Sequence, residues 1–330
     1  MQAAADFFIS GIGAKVGEFV RVVLQVEQHG AETFGQDVFV APVENHPQPA
    51  IDRRLLQDLA DIHERSVASV KQTQQLSLPS NNLEYLTILS GAGSLDIQGS
   101  NTATSISVDA IIYTADIDDE YELTLEKSGT QAKLVAQNKS NNGISFYSGQ
   151  SPSINLVVTV PNTLNLDIND RSGDIVINEM QSDIDVKDGS GSLSINSAKN
   201  LNIDDGSGSI YVKNVVGDLV LNDGSGSIDI DNVSGNVAIE DGSGEMQVTN
   251  VTGVLNVEDG SGGITIKHIK GAVTVDDNSG DMLIEHIGSS VTIEDGSGDI
   301  RVNYAKGLTI TEAGSGDVSI DNISGSVKLD

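Results

Sequence analysis

The sequence predicts an all-β protein whose second half is a single-stranded β-helix, a β-solenoid of coils about eighteen residues long. Three observations predict it. From Asp170 onward a D-G-S-G-like turn recurs every 18 residues, with one step of 17, at Asp170, Asp188, Asp205, Asp223, Asp241, Asp259, Asp277, Asp295 and Ala313. Position three is Ser in all nine units (Ser172 to Ser315) and position four is Gly (Gly173 to Gly316). Between the turns, apolar and polar residues alternate with the strand period of two.

The unit from Asp241, DGSGEMQVTNVTGVLNVE, shows how one coil is built. Met246 and Val248 form the inward face of one short strand, and Leu255 and Val257 that of a second. Val251 and Gly253 mark a bend between them, and D-G-S-G is the other bend. Gly accepts positive φ there, while Asp and Ser can bond nearby amides. Inward positions do not recur every six residues, which disfavours the triangular hexapeptide helix. A flattened coil with two main strands and a short third side fits better, and it is expected to wind right-handed. A lone coil buries too little to offset the entropy of ordering it, so coils must stack. Nine of them at about 4.8 Å each give a rod of roughly 43 Å.

Two regions precede the array. Residues 1–75 read as a leader, partly disordered or helical. Within it Ile51, Leu55, Leu59 and Ile62 recur at helical spacing after Pro47 and Pro49, predicting a helix over about 50–70. Residues 80–168 read as β-rich early coils or a cap, and GAGSLDI at 91–97 already resembles the later repeat unit. The regular solenoid then occupies 169–330.

Composition narrows the function. Lys and Arg number 18 against 48 Asp and Glu, a net charge of -30. Nucleic acid and anionic membrane surfaces both require the opposite sign. There is no Cys, hence no disulfide, zinc-thiolate site or lipid-modified Cys. No run of eighteen apolar residues exists to span a membrane, and Asp6, Lys15, Glu18 and Arg21 make the N-terminus a poor export signal.

Val158-Thr159-Val160-Pro161, then LNLDINDRSGDIVI, then the G-x-I-x-I units resemble the bacterial DUF4097 family, whose members are often labelled adhesins. The resemblance covers about 80–330. It implies a β-helical, extracytoplasmic or envelope-associated protein, and it supplies no catalytic residues.

Register turns each repeated residue into a ladder. Stacked carboxylates about 4.8 Å apart repel, and two readings offset this. In one, each Asp accepts from the amides of its own turn. In the other, Asp205, Asp223, Asp241, Asp259, Asp277 and Asp295 form a row of weak Ca²⁺ sites, helped by Asp204, Glu240, Glu258, Asp276 and Glu294 just before them. His268 and His286 lie one period apart at position ten, where other units carry Asn214, Asn232, Asn250 and Asn322. That favours an amide ladder at the bend over a His metal site. The Ser ladder has no companion His in every coil, and D-G-S-G is not the G-x-S-x-G elbow.

These features predict a non-enzymatic, adhesin-like envelope or surface protein that works through a rigid, repetitive acidic surface, with no resident cofactor beyond that weak Ca²⁺. Its expected partners are a cell-surface glycan or protein, or a second copy through the solenoid ends, as in a scaffold resembling the bactofilins. A polysaccharide-active β-helix enzyme is disfavoured, because coils without long insertions build no cleft walls.

Overall fold

A computed structural model describes residues 70–114, 120–139 and 153–329, together with the backbone of three short strands nearer the N-terminus. The chain divides into two compact units, Met1–Glu64 and Arg65–Asp330. In the first, Phe7–Phe8 pairs antiparallel with Val20–Val26, which pairs antiparallel with Gly35–Val40. The helix expected over 50–70 falls outside the described residues, save that Val70 opens a strand.

The second unit consists of two 13-stranded sheets. From Asn165 onward successive strands alternate between them, so each coil gives one strand to each sheet, and like strands of neighbouring coils pair in parallel. Ile228 lies beside Met246, Met246 beside Ile264 and Ile264 beside Met282 in the first sheet. Leu219, Val237, Leu255 and Val273 do the same in the second. The expected inward set, Met246, Val248, Val251, Leu255 and Val257, is at most 2% exposed. These aliphatics join one continuous core running from Leu86 to Ile310. The coil is therefore two-sided. The expected short third side forms no third sheet among the described residues, and the D-G-S-G turns of neighbouring coils are joined by bonds such as Gly244 N–H to the Ser261 carbonyl.

The 17-residue step is absorbed at a corner. Asn178 still pairs with Asn196 at an offset of 18, but Ile184 pairs with Leu201 at 17. Ser197, in the shortened turn between, takes φ +83°. A second slip lies between Ile293 and Glu294, whose partners Ile310 and Glu312 stand 17 and 18 residues further on.

Within residues 80–168 the described strands pair in two different ways. Tyr85–Ser90 and Leu95–Ser100 form a true coil: Leu95 and Ile97 pair with Ile175 and Ile177, and Leu86 and Ile88 with Leu166 and Ile168. Between Ser100 and Asn165 the chain leaves the spiral and builds a cap. Ser153–Pro161 lies parallel to Leu95–Ser100 and antiparallel to Ser105–Thr114, which pairs antiparallel with Val70–Pro79. In the other sheet, Gln131–Asn138 lies parallel to Tyr85–Ser90 and forms a hairpin with Tyr121–Ser128. The switch to antiparallel pairing gives this end of the stack a different surface from its coils.

Candidate functional site

Each coil presents three kinds of ladder: one buried at the D-G-S-G bend, one at the opposite corner, and rows of side chains on the outer faces.

The Asp ladder points inward. A strand alternates faces, and Asp is two residues beyond the second inward aliphatic, so it joins the inward set. Asp170, Asp188, Asp205, Asp223, Asp241, Asp259, Asp277 and Asp295 are all at most 6% exposed. From Asp188 to Asp295, one oxygen of each accepts the amide of the Ser two residues on, at 3.0–3.3 Å. The other oxygen, Oδ2, is buried without a protein partner. Burial, reinforced by the neighbouring ladder carboxylates, pushes Asp188, Asp205 and Asp241 up to about 6 and Asp277 up to about 7. Burial also raises Asp170, Asp223, Asp259 and Asp295. Two ionised neighbours at about 4.8 Å repel by roughly 3 kcal/mol at an effective dielectric near 20.

The acids that precede the ladder face the opposite way. Asp204, Glu240, Glu258, Asp276 and Glu294 all lie exposed on the outer face of the second sheet, and Asn222 stands between Asp204 and Glu240 in the row. The structure therefore does not bring them together with the buried Asp row. Among the described residues, no three His, Cys, Asp or Glu side chains group so as to hold a metal ion. The exposed acidic stripe is this second row, one residue away from the ladder that the repeat makes conspicuous.

The Gly of each D-G-S-G turn explains why that turn recurs unchanged. Gly244 has φ +154°, and a Cβ built on it would lie 1.5 Å from the carbonyl oxygen of Gly226 in the coil before. Its amide donates to the Ser261 carbonyl of the coil after, at 2.9 Å. The main-chain carbonyls at the Ser position thus serve coil-to-coil bonding, a role that does not itself require a Ser side chain.

At the opposite corner, position ten is left-handed in all nine units. Glu179, Ser197, Asn214, Asn232, Asn250, His268, His286, Tyr304 and Asn322 have φ between +52° and +83°. Asn and His enter this region more readily than most residues. Only one rung of the expected amide ladder forms, Asn232 Nδ2 donating to Asn214 Oδ1 at 2.6 Å; Asn214 Nδ2 donates to Asn196 Oδ1 at 2.8 Å, Asn250 Nδ2 to Asp231 Oδ1 at 2.7 Å and Asn322 Nδ2 to Asn303 Oδ1 at 3.0 Å. Further along the same corner His268, His286 and Tyr304 form a row of rings, with centroids 4.9 Å apart at both steps.

The outer face of the first sheet carries two more rows, one of them running Val176, Ser194, Tyr211, Asp229 and Gln247. In the sequence Tyr211 stands out only as a rare aromatic within the repeats. The signal that finds this row is the residue between the two inward positions of each unit, taken from one unit to the next.

The profile of the Toastrack DUF4097 family matches residues 110–289, more than half of the chain and within the span of the resemblance noted above. Among solved structures, a "putative adhesin" from Bacteroides fragilis is 13% identical, with a TM-score of 0.31, covering 78% of this chain and 97% of that one. A "putative lipid binding protein" from Parabacteroides distasonis is 17% identical, with a TM-score of 0.35, covering 79% and 96%. A "putative cell adhesion protein" from Clostridium sporogenes is 12% identical, with a TM-score of 0.24, covering 76% and 99%. No curated protein matches the chain.

Proposed function

Since the chain belongs to the Toastrack DUF4097 family, we propose that it is a non-enzymatic, adhesin-like protein of the bacterial envelope or surface, acting outside the cytoplasm. The observation that carries this reading is register. Outward side chains of successive coils repeat in straight rows on two sheets, so one weak contact can be made again at every rung. Weak contacts repeated on a stiff frame sum through multivalency, with little added ordering cost. The exposed acidic row and the net charge of -30 direct this surface away from nucleic acid and towards neutral glycan or protein.

The test is retention of the purified chain on isolated bacterial envelopes and on intact cells, paired with product analysis after incubation with polysaccharides. Saturable retention without shortened products is expected. Release of oligosaccharides, or no retention on any surface, overturns the reading.

Self-association is a second reading with its own observation. In the coil 318–329, Val318, Val327 and Leu329 are 40%, 44% and 58% exposed, and the outer backbone edges of both strands are unpaired among the described residues. Such an edge recruits another strand, from whichever chain supplies it. Sedimentation at high protein and salt concentration should show assemblies larger than the monomer, and monomers alone would dismiss this reading.

A further inference from the structure

We infer that the outer face of the first sheet around Tyr211 is a binding site for a neutral polysaccharide lying along the solenoid axis. This rests on the adhesive reading above and gives it a ligand class.

Tyr211 is 49% exposed in the middle of a sheet face, on a shallow furrow of about 580 Å³. Asn178, Asp229 and Gln247 line the same furrow, with Ser194 beside Tyr211 on the preceding coil. These five polar side chains sit on five successive rungs, and none of them makes a side-chain hydrogen bond within the described residues. Some exposed side chains elsewhere on the rod are tied to one another, as Asn202 is to Asp185 at 3.1 Å and Asn236 to Asp218 at 3.2 Å. The furrow is thus a stretch where donors and acceptors are left for another molecule. Beyond Asn196 it meets a second hollow of about 650 Å³, lined largely by amides and hydroxyls such as Gln98 and Asn162.

The chemistry selects the ligand. A half-exposed phenol ring offers a flat apolar face to the C–H face of a pyranose, and its hydroxyl stays free to bond. Amide and carboxylate groups such as Gln247 and Asp229 can pair with adjacent sugar hydroxyls, since each offers two polar atoms in one plane. Rungs about 4.8 Å apart are close to the advance of one sugar in an extended chain, so successive sugars meet successive rungs. Lys213 is no free cation here: its ammonium is 3.0 Å from Asp231, which also accepts from Asn250 at 2.7 Å. Among the described residues of the furrow, an acidic glycan would find no unpaired positive charge and would meet Asp229.

The experiment is native gel retardation of the full chain in soluble dextran, mannan or laminarin, with polygalacturonate as the acidic comparison. Wild type is run beside Tyr211→Ala, Gln247→Ala and Tyr304→Ala. All three positions are exposed, and circular dichroism melts verify that each variant folds. At least one neutral polysaccharide should retard the wild type, with affinity reduced roughly tenfold in Tyr211→Ala and unchanged in Tyr304→Ala. Retardation by none of the three, or undiminished binding by Tyr211→Ala, overturns the site. If Tyr211→Ala still holds to envelopes as the wild type does, the adhesive reading stands and the furrow falls. If the wild type binds polysaccharide but not envelopes, the furrow stands and the adhesive reading falls. Loss of envelope retention after protease treatment of the envelopes would point to a protein partner and overturn the polysaccharide assignment.

Discussion

Replacing Asp241 by Asn measures what a carboxylate in the buried ladder costs. Its Oδ1 accepts the Ser243 amide at 3.0 Å, an interaction the amide oxygen of Asn retains. Its Oδ2 has no partner, and the nearest ladder carboxylates are Asp223 and Asp259. Burial, with repulsion from those two neighbours, raises its pKa from 3.8 to about 6. The folded protein therefore holds a proton on Asp241 between about pH 4 and 6 that the unfolded chain has released. Stability conferred by that proton is fully present below pH 4 and is lost as the pH rises through 6. At about 1.4 kcal/mol for each tenfold change in proton affinity, the ionised group costs roughly 3 kcal/mol. Asp241→Asn should be more stable than the wild type by about that amount at pH 8, with the gain vanishing at pH 4. Urea unfolding followed by circular dichroism from pH 4 to pH 8 gives the comparison. Over the same range the wild type itself should weaken as pH rises, because Asp188, Asp205 and Asp277 are raised in the same way. A wild type that strengthens from pH 4 to 7, or an Asn variant equally destabilised at both ends, would refute the reasoning.

Calcium at Asp205, Asp223, Asp241, Asp259, Asp277 and Asp295 would make the opposite claim, that a cation keeps the ladder ionised. Melting at pH 5 with and without added Ca²⁺ should coincide if protons are the neutralising species there, whereas a higher melt in Ca²⁺ would favour the cation. Gly244→Ala should cost about 4 kcal/mol or more in urea unfolding, because its Cβ meets a backbone oxygen of the preceding coil. Gly129→Ala, at φ +64° with nothing within 4 Å of the new atom, should cost only about 1 kcal/mol. At the opposite corner, His286→Asn should change stability by less than about 0.5 kcal/mol, while His286→Val should cost roughly 1–2 kcal/mol for placing a β-branched residue at φ +58°.

The period of eighteen and the alternation within each unit make the solenoid legible in the sequence. Side-chain direction along a strand is local, so Met246, Val248, Leu255 and Val257 announce their inward face by spacing alone. The bend residues are legible for the same reason, since Gly244 and Asn250 are the residue types that positive φ favours. The cap is only half visible. Its strands alternate properly, but nothing local says that Ser153–Pro161 will pair parallel with Leu95–Ser100 and antiparallel with Ser105–Thr114.

The sequence by itself therefore determined the coil, its turns and the existence of the ladders. The tertiary structure decided what those ladders face. Asp241 and Glu240 are adjacent in the chain and equally acidic, yet one is enclosed at the corner of the core and the other stands in solvent. Where the second strand stops before the turn sets which of the two is enclosed, and burial raises the pKa of the enclosed Asp241. Likewise Tyr211 is one aromatic among polar residues until coil stacking lines it up with Ser194, Asp229 and Gln247. A surface assembled across coils exists only once they are in register.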